Sequence, residues 1–160
     1  MTPIDLLTSL KTFIEECTKD IILQTRATKG EQKQRAAEVH LMKLPDVEAE
    51  TKKIPYILLQ LLTGQDEEDK GEPRSSECKI RVIVATYSED GGEGALDVLN
   101  VITRIRMKLL KESVVAERYI LKMPLEYMVY PEDTAPYHLG EMMLIFSIPA
   151  IEREVQVIWQ

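Results

Sequence analysis

The chain reads as one α+β domain: a largely antiparallel or mixed five-stranded sheet with two main helices on one face. Three observations carry this. Two stretches, one early and one past the middle, repeat apolar residues at the three-to-four spacing of a helix. Five others alternate apolar with polar residues, or run apolar between turn residues, as strands do. The order is helix, three strands, helix, two strands, without the regular alternation that builds an all-parallel sheet. At 160 residues the chain is read as a single domain over 1–160, and a chain of this size buries about 70% of its unfolded surface.

The first helix opens on Thr2, with Pro3 in its first turn and Asp5 three residues after the cap, which makes a capping box. Leu6, Leu10, Phe13, Ile14, Cys17 and Ile21 follow at helical spacing and carry it to about Ile22. Thr25 to Gln34 is polar, contains Gly30 and reads as a connection. Val39 to Met42 is a short strand closed by Pro45. Pro55 opens the next, Tyr56 to Leu62, because proline cannot donate to a central ladder, and Gly64 stops it. Gln65 to Glu77 reads as a charged loop. Cys78 to Tyr87 is a strand, with Ile80, Val82 and Val84 on one face and Ile83 and Ala85 on the other.

A second helix starts after Gly91-Gly92, with Asp90 and Glu93 at capping-box spacing, and runs to about Lys111. One row along it holds Leu96, Leu99, Ile102, Arg106 and Leu110; another holds Val98, Val101, Ile105 and Leu109. That apolar surface is wider than a single stripe. The last third is a hairpin. Tyr119, Leu121, Met123, Leu125, Tyr127 and Val129 share one parity of its first strand, and Met142, Leu144, Phe146 and Ile148 one face of its second, Glu141 to Ile148.

Several of these strands are apolar on both faces, and two helices cover only one. The other face, with Leu59 and Ile145 as candidate contact residues, is expected to meet a partner unless long loops or a bent sheet cover it. Residues 150–160 read as an inter-subunit tail. Val155, Val157 and Trp159 alternate there with Glu154, Gln156 and Ile158. Such a one-faced strand either pairs with the edge of a neighbouring sheet or folds back on its own domain.

Composition narrows the function classes. Twenty basic and 27 acidic residues leave a net charge of −7, which opposes the phosphate contacts that dominate nucleic-acid affinity. Cys17 and Cys78 form no disulfide framework and read as reduced cytosolic thiols. The first residues lack the basic-then-apolar pattern of a signal peptide, and no apolar run approaches the ~20 residues of a membrane span. His40 and His138 are the only histidines. Asp133, His138 and Ser147 can be drawn as a relay, but an ordinary polar loop histidine is the simpler reading. Asp66, Glu67, Glu68 and Asp69 lack the alternating spacing and turn glycine of a calcium loop. Gly91, Gly92 and Gly94 match no phosphate-binding pattern and read as turn residues. The expectation is no enzyme, no metal and no cofactor.

The run from Tyr87 to Leu110, Pro124-Leu125-Glu126-Tyr127, and Pro136-Tyr137-His138-Leu139-Gly140-Glu141 with its apolar strand resemble the tail terminator, or tail completion, proteins of tailed phages. Pro55 to Gly64 and the acidic residues after it are similar too, so the resemblance covers most of the chain from Val39 to Ile151. It implies a small structural subunit of the virion tail, assembled in the host cytoplasm. Copies form a ring, hexameric in the family, at the head-proximal end of the tail tube. The implied partners are further copies of the chain, the tube protein and the neck or connector. DNA passes without specific binding, and no membrane is involved. In such a ring the run Asp66 to Asp69 is expected either on the channel wall, where carboxylates keep DNA from adhering, or as an outward solvated loop. A different class, a small ligand-binding or regulatory domain that dimerises through its apolar sheet face, stands as the alternative; an enzyme using Asp133 and His138 is a third.

Overall fold

The computed structural model describes residues 2–26, 33–45, 54–132 and 134–154. The elements are α1 (Pro3–Thr18), β1 (Leu23–Gln24), β2 (Gln34–Arg35), β3 (Glu38–Leu41), β4 (Tyr56–Glu67), β5 (Ser75–Tyr87), α2 (Gly91–Glu112), β6 (Val114–Val115), β7 (Tyr119–Val129) and β8 (Tyr137–Ile148). Six strands form one sheet in the order β3-β4-β5-β8-β7-β6, and β1 pairs with β2 in a separate two-stranded ladder. Among the described residues only β3 and β4 run parallel; the other pairings are antiparallel. The fold is therefore α+β and mixed, as expected, with six main-sheet strands in place of five.

The capping residues act where the sequence places them. Thr2 Oγ1 accepts from the Asp5 amide at 3.2 Å, and the Thr2 amide donates to Asp5 Oδ2 at 2.8 Å, satisfying two amides that the first turn leaves unpaired. The helix stops at Thr18, four residues short of the expected Ile22, and Ile21 is buried in the following turn. At α2, Asp90 Oδ1 accepts from the amides of Gly92 and Glu93 at 3.0 and 3.1 Å. Its far end closes on Ser113 in the left-handed region (φ 57°), whose amide donates to the Leu109 carbonyl at 2.7 Å.

Both helices pack on the same sheet face. Leu6, Leu10 and Ile14 of α1 and Val98, Val101, Ile102, Ile105 and Leu109 of α2 share one buried cluster with Ile57, Leu59, Ile80, Val82, Val84, Met142, Leu144 and Phe146. Each fully buried aliphatic chain contributes about 1.5–3 kcal/mol. The helices are tied side by side: Arg104 Nη1 donates to Asp20 Oδ1 at 2.9 Å, and Lys108 stands 4.7 Å over the Phe13 ring. Gly140 of β8 lets α2 come this close, since a β-carbon there would lie 2.6 Å from Val98 Cγ1.

The opposite face is not bare. Leu44 and Ile54 cover one end of it and bury Tyr56, Leu58 and Ala85, with Ile83, Tyr87, Tyr137 and Leu139 packed around them. The remainder, around Met143 and Ile145, is half-buried.

Several expected strand boundaries move. β4 does not stop at Gly64 but continues to Glu67, and β5 begins at Ser75, so the loop shrinks from Gln65–Glu77 to residues 68–74. Gln65, Asp66 and Glu67 pair with Glu77, Ser76 and Ser75; a ladder needs only backbone groups, so polar side chains do not end it. A register shift between Leu61 and Thr63 marks where the apolar pattern ends. β8 begins at Tyr137, opposite Tyr87, and not at Glu141. The stretch read as a plain connection, Thr25 to Gln34, is flanked by β1 and β2, which pair with each other, and Arg35 Nη1 donates to the Pro55 carbonyl at 2.9 Å, fixing the entry to β4.

β7 bulges. Leu121 faces Phe146 and Tyr127 faces Met142, so β7 spends two more residues than β8 over this span and keeps its parity. From Lys122 to Val129 its outer edge has no strand alongside it among the described residues, because β6 pairs only with Tyr119 and Ile120.

Candidate functional site

The expected contact residues separate. Leu59 points into the helix-covered core, between Leu41 of β3 and Val82 of β5, and is 0% exposed. It is not a contact residue: Tyr56 to Leu62 is apolar at both parities, so alternation cannot say which parity faces the helices. Ile145 does lie on the opposite face, half-buried, between Lys79 of β5 and Lys122 of β7. Val155, Val157 and Trp159 lie outside the described residues. The root of that tail is placed: Arg74 Nη1 donates to the Ile151 carbonyl at 2.8 Å, and Glu68 accepts from Arg153 at 3.2 Å and from Arg74 at 3.4 Å. The tail thus leaves β8 alongside the β4–β5 turn.

The four carboxylates do not share one loop. Asp66 and Glu67 are strand residues of β4 and Glu68 and Asp69 begin the turn; all are exposed.

The relay is not assembled. His138 and Ser147 stand nine positions apart on the single strand β8, on opposite faces and about 30 Å apart; Asp133 lies outside the described residues. His138 pairs across the ladder with Thr86 and packs against Gly94 in the first turn of α2, and its Nε2 has no hydrogen-bond partner among the described residues. The glycines are not turn residues: Gly91, Gly92 and Gly94 all lie inside α2, where Gly94 leaves room for the imidazole. Burial pushes the Cys17 thiol up to about 11. Burial, and then the Asp66 charge, raise that of Cys78, so neither is a thiolate nucleophile near neutral pH. Among the described residues, no three His, Cys, Asp or Glu side chains are grouped to hold a metal ion, and no helix is long and apolar enough to cross a membrane.

What stands out instead is α2. Its buried residues line one side, and on the opposite side Leu96 (64% exposed), Leu99 (38%), Met107 (48%) and Leu110 form a second apolar row. The wide apolar surface seen in the sequence is two faces, one of them facing solvent. Arg106 lies over the exposed Tyr127 ring of β7 at 5.5 Å, extending this row toward the sheet edge. From Val101 to Lys111 the helix carries Arg104, Arg106, Lys108 and Lys111 and no carboxylate.

A second feature lies on the far face of the sheet. Met42, Leu44, Tyr56, Leu58, Ile83 and Leu139 line an open recess of about 440 Å³. At its polar corner, Arg81 donates to Glu141 at 2.5 Å and to the Tyr130 hydroxyl at 2.9 Å. Compared with known proteins, the chain matches no protein-family model and no curated protein.

Proposed function

We propose that this chain is a structural subunit of a phage or phage-derived tail. Copies close into a ring, hexameric by resemblance, at the head-proximal end of the tail tube, where the ring ends tube polymerisation and joins the tail to the neck. One observation carries the reading to this chain: α2 is apolar on two opposite sides, and the outer row Leu96, Leu99, Met107 and Leu110 is exposed along its length. An exposed apolar row on a well-packed helix marks a surface that another protein covers. Ring closure requires a head-to-tail contact between two different patches, and α2 supplies one of them.

Mass photometry of the pure protein, alone and mixed with the tube protein of the same particle, tests this. The expected result is a species several times the monomer mass, or a complex capping tube ends, with tubes no longer extending. A chain that stays monomeric and leaves tube growth unchanged overturns the proposal.

The recess beside Arg81 favours a second reading, a ligand-binding or regulatory domain, since its volume falls in the range of small-molecule sites. Saturable binding of a metabolite by a particle that remains small would select it.

A further inference from the structure

We infer that the acidic β4–β5 turn of one copy docks on the basic, apolar-rowed outer face of α2 of a second copy. This rests on the ring reading and names the two patches that meet. The charges are complementary. Residues 65–77 hold six carboxylates (Asp66, Glu67, Glu68, Asp69, Glu72, Glu77) against Lys70 and Arg74, a net charge of −4. Residues 101–111 of α2 hold four cations and no carboxylate; Arg104 is paired with Asp20 and Lys108 lies over Phe13 of α1, which leaves Arg106 and Lys111 as the cations flanking the outer row. A chain of net −7 repels its own copies overall, and a contact that brings basic residues against acidic ones lowers that repulsion.

Shape agrees with charge. The exposed end of β4, Leu62 to Glu67, is about 20 Å long and fits within the 22 residues of α2, about 33 Å. The docking patch also has apolar groups to set against Leu99, Met107 and Leu110. Leu62 is exposed where the register shifts, and Ile151, 78% exposed, is held beside the turn by Arg74. The two patches lie on different parts of the fold, one at the β4–β5 turn and one on the outer helix face. The contact is therefore heterologous, as a closed ring requires. It assigns the carboxylates to the subunit boundary in place of the channel wall.

Charge reversal with a swap tests it on the full chain. One variant carries Glu67→Lys, Asp69→Lys and Glu72→Lys; the other carries Arg106→Glu and Lys111→Glu. Glu68 is left intact because it holds the tail root. Circular dichroism checks that both fold, and Lys111→Glu alone serves if the double variant does not. At low salt each variant by itself should associate about tenfold more weakly or worse. An equimolar mixture should recover assembly, because a reversed turn then meets a reversed helix in alternating copies. Rings that persist in either variant, or a mixture that recovers nothing, overturn the contact and leave the ring reading standing. Intact rings with slowed DNA passage in the lysine variant also overturn it, by placing the turn in the channel. A wild-type chain that is monomeric even with tube protein removes the ring reading and this contact together.

Discussion

Gly94 and His138 occupy each other's space: a β-carbon added at Gly94 would overlap Cδ2 and Nε2 of the imidazole. The helix and the central strand β8 meet there through a glycine and a histidine, 44 positions apart. Thr86 fastens the same corner by donating its hydroxyl to the Gly94 carbonyl at 3.2 Å. Gly94→Ala should therefore destabilise by about 1–3 kcal/mol of overpacking, offset by about 1 kcal/mol of helix propensity. In a His138→Ala background the same change should be neutral or stabilising. Urea melts of the four proteins give the coupling; equal losses in both backgrounds would show that the two residues do not contend for space.

Leu59 and Ile145 should respond oppositely to a carboxylate. Leu59→Asp places an unpaired charge in the core and should abolish folding, while Leu59→Ala should cost about 2–5 kcal/mol in a denaturant titration. Ile145→Asp puts the carboxylate between Lys79 and Lys122 and should leave the circular dichroism spectrum and melting temperature nearly unchanged. An unfolded Ile145→Asp, or a folded Leu59→Asp, contradicts the faces assigned to them.

The Asp97 carboxyl is held above the usual carboxylate range by burial and by the Glu93 charge, with His138 pulling the other way. Its folded pKa thus exceeds the unfolded value of about 4. The stability this group adds is fully present below that value and is lost as pH rises through the folded pKa. Asp97→Asn carries no charge to desolvate. Its melting temperature relative to the wild type should rise from about pH 4 toward neutrality, as read by thermal melts at stepped pH. A difference that stays flat or falls over that window contradicts the assignment.

Much of the fold is legible in the residues, and the failures have physical causes. Thr2 and Asp5 announce α1, and Asp90 announces α2, because caps are local chemistry. The end of β4 is invisible beyond Gly64, since Asp66 and Glu67 pair through their backbones and give no side-chain signal. The two residues of β6 are too few to show a period. Gly94 looks like a turn residue until His138, far away in sequence, is placed against it. Leu59 is legible as apolar but not as inward-facing, because its neighbours Leu58 and Gln60 give no clean alternation. The outer row of α2 was visible as excess apolar width; which residues face solvent required the packing of α1 and the sheet.

The edge of β7, open among the described residues, bears on solubility. An unpaired strand edge is a template on which identical chains can add without limit. Here Pro124 offers no amide, and the two extra residues between Leu121 and Tyr127 break the even repeat that a stacked fibre demands. At the other side of the sheet, the carboxylates of Asp66 and Glu67 stand on the part of β4 that β3 does not reach and repel like copies edge to edge. Each of these two stretches thus carries a feature that opposes endless edge-to-edge growth.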